Sequence, residues 1–274
     1  MYKIFFDKQK AKGYILLVWL ILVLFLIPFS VHGYDRIISL SPQITESLYL
    51  IEAAKELVGV TEFCKKPAEA TKKQKVGTPL RPDVEKIVSM HPDIVFGTRE
   101  GNSPLVMARL ERLNIKIHYF NRPKTFADLM DNFLTLSKCV GKEEKGKQIV
   151  NNAREALSKL KNEKGYRVLW QVGADPLVVA SNNSFANDII VLAGGSNIIE
   201  SELPYPRINT EEVILKNPNV IVLMDMGYNV QLEMERWKRY FNKVKFVILD
   251  AYSVGSPTPV SFVNAVKTLA ELFP

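Results

Sequence analysis

The chain has 274 residues, of which 47% are hydrophobic and 24% charged, and it carries a formal net charge of +7. These values are typical of an ordinary globular protein with one or two domains. No stripe of Lys and Arg with interleaved aromatic residues accompanies the positive charge, which argues against a nucleic-acid-binding protein.

Residues 1–33 show the three-part pattern of a secretory signal. Four Lys residues precede an apolar run from Tyr14 to Ile27, which Pro28 ends, and short residues surround a possible cleavage point after Gly33. The run of about 14–15 residues is short for a membrane span of roughly 20. We therefore expect export to the periplasm or to the outer face of the cytoplasmic membrane. An uncleaved amino-terminal membrane segment is the alternative, because residues 29–31 prolong the run.

Cleavage after Gly33 removes four Lys and one Asp, so that the formal net charge falls from +7 to +4 over the remaining 241 residues. Two cysteines remain in that part of the chain, Cys64 and Cys139. In an oxidising compartment they can pair only if their distance allows it, and the sequence does not give that distance. A disulfide and two free thiols therefore both remain open.

Residues 34–141 alternate between predicted strands and helices. The strands are residues 36–40, 57–60, 94–96 and 115–119, and the helices begin at Ser41, Asp83, Ser103 and Thr125. Two segments follow strands directly, residues 61–64 with Phe63 and Cys64, and the polar turn 97–102 with Thr98 and Arg99. Because ligands meet parallel sheets at the carboxyl ends of the strands, these residues are candidates for a binding site.

A long amphipathic helix is predicted from Glu143 to Lys164. Its apolar residues fall on one stripe of a helix, with Lys, Glu and Asn on the other faces: Ile149, Ala153, Ala156, Leu157 and Leu160. At 1.5 Å per residue the helix would be roughly 33 Å long. We interpret residues 142–165 as a linking helix between an amino-terminal lobe, 34–141, and a carboxyl-terminal lobe, 166–274. The alternative is that it is simply the last helix of one domain.

The second half repeats the alternation of strands and helices. The predicted strands are residues 167–172, 177–180, 220–223 and 246–249, and the clearest helices are 184–192 and 258–272. Strands separated by helices favour mostly parallel sheets. The predicted fold is therefore α/β, with two lobes of mostly parallel central sheets, one long rigid α-helix between them and a ligand cleft between the lobes.

An internal repeat relates the two halves. Glu85 and Glu211 each stand two residues before an apolar residue and seven before a proline, and a strand follows each proline, Pro92 and Pro218. The prolines mark the helix ends. The glutamates have two interpretations: they are first-turn helix acids, or they form matching contacts on one face for a partner with twofold symmetry.

Four segments together resemble the extracytoplasmic binding proteins of ABC importers for cobalamin and iron-siderophore complexes. They are RIISLSPQITE at 36–46, LVGVT at 57–61, VEKIVSMHPDIV at 84–95 and AGGSNI at 193–198. The resemblance covers essentially all of residues 35–274 and is closest to the cobalamin branch. It implies two α/β lobes joined by one helix, with ligand held between them. A protein of this class is expected to be a monomer that delivers its ligand to a dimeric permease in the membrane.

The resemblance also implies roles for individual residues. Phe63 matches an aromatic residue over the corrin, Tyr205 matches a second aromatic residue, and Glu85 and Glu211 match acids that dock on the importer. Positions where the cobalamin branch can carry Trp are Pro79 and Thr98 here. The Asp and Arg that this branch can use near the last strand–helix loop have no clear equivalents between Tyr252 and Thr258.

These departures leave the ligand open between cobalamin or a related corrinoid, an iron-siderophore and haem. Arg99 and Arg207 are expected near the cleft rim, where they suit an anionic iron chelate or haem propionates. The alternative is that both are solvated surface arginines. The residues predicted to bind ligand are Phe63, Cys64, Thr98, Arg99, Tyr205, Arg207 and Tyr252.

Catalysis is not predicted. The sequence contains neither a G-x-S-x-G nor an H-E-x-x-H motif, and its Cys and His residues are separated in the chain. We expect a binding protein with no resident cofactor and no metal site of its own, whose ligand contains the metal. Two other hypotheses are an exported chelatase-like enzyme on a similar two-lobed fold and a surface-tethered interaction protein with a poorly formed cleft.

Overall fold

A computed structural model of the chain describes residues 33–160 and 165–272. Tyr34–Pro274 forms one compact unit. The predicted signal at 1–33 lies outside the described residues except for Gly33. Among the residues described, no helix combines the length and the apolar character that a membrane crossing requires.

The first sheet contains five parallel strands in the order β3-β2-β1-β4-β5. They are β1 (Ile37–Ser39), β2 (Leu57–Val60), β3 (Gln74–Lys75), β4 (Ile94–Thr98) and β5 (Ile117–Phe120). The helices are α1 (Pro42–Leu50), α2 (Val84–Ser89), α3 (Pro104–Arg112) and α4 (Phe126–Cys139), with a 3₁₀ turn at Ala68–Lys72.

Strands β1 and β4 of this sheet are buried on both faces. Ile37 and Phe96 belong to one apolar cluster, whereas Ile38 and Val95 belong to a second cluster. Successive side chains of a strand point to opposite faces, so each near-continuous apolar run contributes side chains to both clusters.

The second sheet has the order β10-β9-β6-β7, and β8 also pairs with β6. Its strands are β6 (Tyr166–Gly173), β7 (Val178–Val179), β8 (Gly195–Asn197), β9 (Val220–Asp225) and β10 (Lys245–Asp250). Its helices are α6 (Phe185–Leu192), α7 (Thr210–Lys216), α8 (Val230–Lys238), α9 (Ala251–Gly255) and α10 (Pro259–Glu271). Of the pairings in this sheet, β6 with β7 is antiparallel and the others are parallel. The predicted α/β class with mostly parallel central sheets is confirmed.

Helix α5 (Glu143–Ser158) connects the two sheets and is shorter than predicted. It has 16 residues, about 24 Å at 1.5 Å per residue, and ends with Lys159 as its C-cap, while residues 161–164 are outside the described part. Val150, Ala153 and Leu157 form its buried face. The helix packs against both α4 and α10. The lobe boundaries that we expect at 141 and 166 stay a prediction.

The sequence repeat corresponds to a repeated structure. Glu85 and Glu211 each occupy the second position of their helix, α2 or α7. The residues before the two prolines, His91 and Asn217, both have a positive φ, 45° and 43°. The residue after each proline accepts a backbone hydrogen bond with its side chain: Asp93 Oδ2 from Arg36 N–H at 2.8 Å, and Asn219 Oδ1 from Arg167 N–H at 2.7 Å.

Each of these arginines also donates to the end of the helix that precedes the proline, α2 or α7. The Arg36 guanidinium donates to Met90 O at 2.7 Å, and the Arg167 guanidinium donates to Lys216 O. In both halves, therefore, an arginine close to the amino end of the first strand satisfies carbonyl groups that the helix end leaves without partners. The two glutamates are consequently held in equivalent local frames.

Close packing of α5 on α4 generates a stability prediction. A Cβ added at Gly146 would overlap the side chain of Ser137, which is fully buried. Ala is a better helix former than Gly by about 1 kcal/mol, but overpacking typically costs about 1–3 kcal/mol. We expect Gly146→Ala to lower the free energy of unfolding in chemical denaturation, despite its higher helix propensity.

Two further variants control this experiment. Asn151→Ala, at an exposed position of the same helix, should be neutral or slightly stabilising. Adding Ser137→Gly to Gly146→Ala should recover part of the loss, because it removes the overlapping atoms. A Gly146→Ala protein as stable as the Asn151→Ala protein would show that α4 and α5 separate without cost.

Candidate ligand-binding cleft

A cavity of about 430 Å³ opens where the carboxyl ends of strands from the two sheets come together. From the first half, Leu40 follows β1, Phe63 follows β2 and Thr98 ends β4. From the second half, Trp170 and Met224 contribute from β6 and β9. A cavity of this size is in the usual range for a small-molecule site.

Asn102 ties together the amino-terminal wall of the cleft. Its side chain is 3% exposed and bonds three separate segments. Asn102 Oδ1 accepts from Thr98 N–H at 2.7 Å, and Nδ2 donates to Leu40 O at 3.2 Å and to Pro79 O at 2.9 Å. Leu40, Pro79 and Thr98 all line the cleft, so one buried carboxamide fixes three parts of its wall.

Phe63 and Tyr205 lie on opposite halves of the molecule and both line the cleft. Phe63 is 53% exposed and Tyr205 is 42% exposed, so both rings present an open face. Tyr205 lies on a loop pinned to the second sheet by backbone bonds, from Ser181 N–H to Pro204 O and from Val179 N–H to Pro206 O. Burial raises the pKa of the Tyr205 hydroxyl, which therefore stays protonated at neutral pH.

The deep carboxyl-terminal wall is mostly apolar. It contains Trp170, Phe185, Ile189 and Met224, with Met226 at a more exposed position. Trp170 is 1% exposed, and its Nε1 donor has no hydrogen-bond acceptor among the described residues. An indole N–H donates only, so this wall contains one unused donor.

Three of the predicted ligand residues come together in the cleft: Phe63, Thr98 and Tyr205. Cys64 follows Phe63 but is fully buried, with its Sγ 3.1 Å from Thr45 Oγ1 and 3.2 Å from Thr61 Oγ1. The prediction that Cys64 faces the ligand is therefore wrong, because its side chain points into the core. Cys64 and Cys139 are both free thiols.

The other three predicted ligand residues also lie outside the lining. The Arg99 guanidinium is 5.0 Å from the centre of the Tyr119 ring, a cation–π contact away from the cleft. Arg207 is exposed, and its backbone pairs with Val178. The Tyr252 hydroxyl accepts from the N–H groups of Lys65 at 3.1 Å and Lys66 at 3.2 Å.

Tyr252 thus joins the two halves of the molecule and does not line the cleft. Beside it, Lys66 Nζ pairs with Asp250 and donates to Ser253 Oγ at 2.9 Å. A second connection lies elsewhere between the halves, where Phe126 N–H donates to Asp188 Oδ2 at 2.7 Å.

Two charged residues of the lining are not predicted by any sequence pattern. Glu100 and Arg122 both face the cleft, and Glu100 Oε2 accepts from Arg122 N–H at 3.0 Å. Arg122 lies in a loop after β5, and its sequence context contains no motif that distinguishes it from a surface arginine. Trp170 and Met224 were missed for another reason, since residues inside apolar strands look like core.

The geometry suits binding of a ligand with a large apolar face. Aromatic rings from opposite halves bury much ligand area with little loss of rotamer freedom. The small number of polar groups in the lining can then fix the orientation of the ligand. Among the described residues, no group of three His, Cys, Asp or Glu side chains is placed to hold a metal ion.

Comparisons with known proteins agree with this architecture. A vitamin B12-binding protein of Vibrio cholerae serotype O1 is 31% identical over 233 residues, 82% of this chain and 84% of the relative. The crystal structure of the periplasmic vitamin B12 binding protein BtuF of Vibrio cholerae has a TM-score of 0.71 at 26% identity, covering 88% of this chain and 97% of that one.

The same fold occurs in a periplasmic haem-binding protein, HutB of Vibrio cholerae, with a TM-score of 0.78 at 18% identity over 87% of this chain and 99% of that one. The family model described as "Periplasmic binding protein" matches residues 37–245. These residues include both sheets up to the start of the last strand, and with them every strand that contributes to the cleft. The chain belongs to the periplasmic binding protein family.

Proposed function

We propose that this protein is an exported, monomeric solute-binding protein that captures cobalamin or a related corrinoid and delivers it to an ABC importer. The observation that carries the proposal is the convergence of Phe63 and Tyr205, one from each half, on a single cleft. The names of the relatives at 25–31% identity support the corrinoid. Thr98 is the third residue that we propose to contact the ligand.

Haem or an iron-siderophore is the second candidate. It is favoured by one observation, the cation of Arg122 among the residues that line the cleft, since haem and many iron chelates carry carboxylates. Titrating the protein with cobalamin, haem and ferric siderophores, while following absorbance and the melting temperature, separates these ligands. A ligand that binds only the native state raises the melting temperature.

The first prediction about function concerns the aromatic rings of Phe63 and Tyr205. Replacing Phe63 and Tyr205 together by Ala should weaken cobalamin binding by about 2–4 kcal/mol, the range of interface hot spots. Isothermal titration measures this change. Tyr240→Ala is the matched control, because Tyr240 is a similarly exposed tyrosine outside the cleft. Unchanged affinity in the double variant would remove both rings from the site.

The second prediction concerns movement of the two halves. Helix α5 packs against both of them, and Tyr252 and Lys66 connect them beside the cleft. We therefore expect the radius of gyration from small-angle scattering to change by less than about 1 Å on ligand binding, as in pre-organised complexes. A decrease of several ångströms would instead indicate hinge closure.

The third prediction concerns Glu85 and Glu211, which we propose dock on the permease. A permease of two identical membrane subunits presents the same basic surface twice, so a monomer across its axis needs one acid in each half. Both glutamates are exposed and neither lines the cleft. Glu85 already pairs with Arg109 at 2.8 Å, but exposed pairs of this kind are weak enough to exchange partners.

Reversing both glutamates to Lys should abolish import by the cognate transporter while ligand affinity and melting temperature stay nearly unchanged. Each single reversal should give a partial loss, because charge pairs at a rim mainly steer and orient. The control with the same change in net charge is Glu144→Lys with Glu271→Lys, at exposed positions on α5 and α10. Normal import by the Glu85→Lys, Glu211→Lys protein would leave the two glutamates as first-turn helix acids only.

A further inference from the structure

Among the described residues that line the cleft, Arg122 is the one cation. Its guanidinium takes part in no hydrogen bond or ion pair with the described residues, and only its backbone N–H is bonded, to Glu100. Two other basic side chains of this region have partners. Lys66 pairs with Asp250, and Arg99 stacks on Tyr119.

The position of Arg122 is fixed from its backbone. The hydrogen bond to Glu100 Oε2 at 3.0 Å holds its loop against the turn that ends β4. The next residue, Pro123, is buried and also lines the cleft. The loop is thus fixed at both residues while the Arg122 side chain remains exposed. A free cation on a fixed loop is arranged to meet a ligand.

Tyr205 and Arg122 both line the cleft. The positive charge of Arg122 opposes the rise in the pKa of the Tyr205 hydroxyl that burial causes. Arg122 belongs to the first half of the chain and Tyr205 to the second. A ligand group between them would therefore meet a guanidinium from one half and a phenol hydroxyl from the other.

Arginine presents a planar fork of donors that matches phosphate and carboxylate oxygens, often through two parallel hydrogen bonds. Glu100 is the acid of the same lining, and one of its oxygens already accepts from the Arg122 N–H. Glu100 would repel a highly charged anion. The lining thus suits a ligand that is largely uncharged and brings one anionic group to the Arg122 side chain.

We propose that Arg122 is a specificity-determining residue of the cleft that binds one anionic oxygen group of the ligand beside Tyr205. This inference rests on the proposed function and narrows it. In a complete corrinoid the group is the phosphodiester of the nucleotide tail, and in haem it is a propionate carboxylate. Both present the same oxygen chemistry to the guanidinium.

The test uses the full chain, purified in mild detergent, and three ligands: cobalamin, haem and cobinamide, which is the corrin macrocycle without the nucleotide tail and its phosphodiester. Arg122→Ala should weaken cobalamin binding about 10- to 100-fold, the scale of a hydrogen bond to a charged group. Its affinity for cobinamide should not change. Arg122→Lys should retain part of the cobalamin affinity, because it keeps the charge and loses the fork.

Arg99→Ala is the matched control, since Arg99 is an arginine of the same half that stacks outside the cleft. It should leave all three affinities unchanged. The melting temperature of each variant without ligand is measured alongside. We expect no change for Arg122→Ala, because Arg122 is exposed and its guanidinium has no hydrogen-bond or ion-pair partner among the described residues.

The outcomes separate the hypotheses. A loss for cobalamin alone assigns the phosphodiester, and a loss for haem alone assigns the carboxylate; both support the anion site. Equal losses for cobalamin and cobinamide, or unchanged affinity for cobalamin and haem, overturn it while the proposed function stands. A wild-type protein that binds none of the three ligands overturns the proposed function and this inference together.

Discussion

The arrangement of the two sheets depends on the packing of α5 against α4 and α10. Gly146 lets α5 approach Ser137 so closely that a side chain there would overlap it. Since α4 follows the last strand of the first sheet and α10 follows the last strand of the second, this packing positions both sheets. Their carboxyl edges then face one cleft, which neither sheet forms alone.

Local patterns were sufficient to predict most of the fold. Strands such as β4 and β9 are apolar runs that end at polar turns, and the prolines Pro92 and Pro218 mark where the preceding helices must stop. The short elements β3, β8 and α9 were not predicted, because two to five residues carry too little periodicity. The end of α5 was also misplaced, since amphipathic spacing continues to Leu160 while the helix ends at Ser158.

The cleft was only partly predictable, for a physical reason. Phe63 and Thr98 lie at strand ends, where a sequence pattern predicts exposure to a ligand, whereas Tyr205 was predicted only through the family resemblance. Cys64 directly follows Phe63 in the chain, but its side chain is buried in the core while that of Phe63 lines the cleft. A shift of one residue therefore decides between core and cleft. Arg99 and Arg122 differ only in what surrounds them, a tyrosine ring or the open lining, and that difference arises from tertiary structure.

Trp170 gives the cleft a property that neither its apolar wall nor its charges supply. Its Nε1 lacks an acceptor among the described residues, and a buried donor without a partner costs about 1–3 kcal/mol. Nε1 itself has almost no exposed surface, so a ligand oxygen or nitrogen atom relieves that cost only where the wall yields enough to admit it. A ligand of the same shape with a methyl group at that place would leave the cost unrelieved. Selection between two neutral molecules of equal size would then depend on a single hydrogen-bond acceptor.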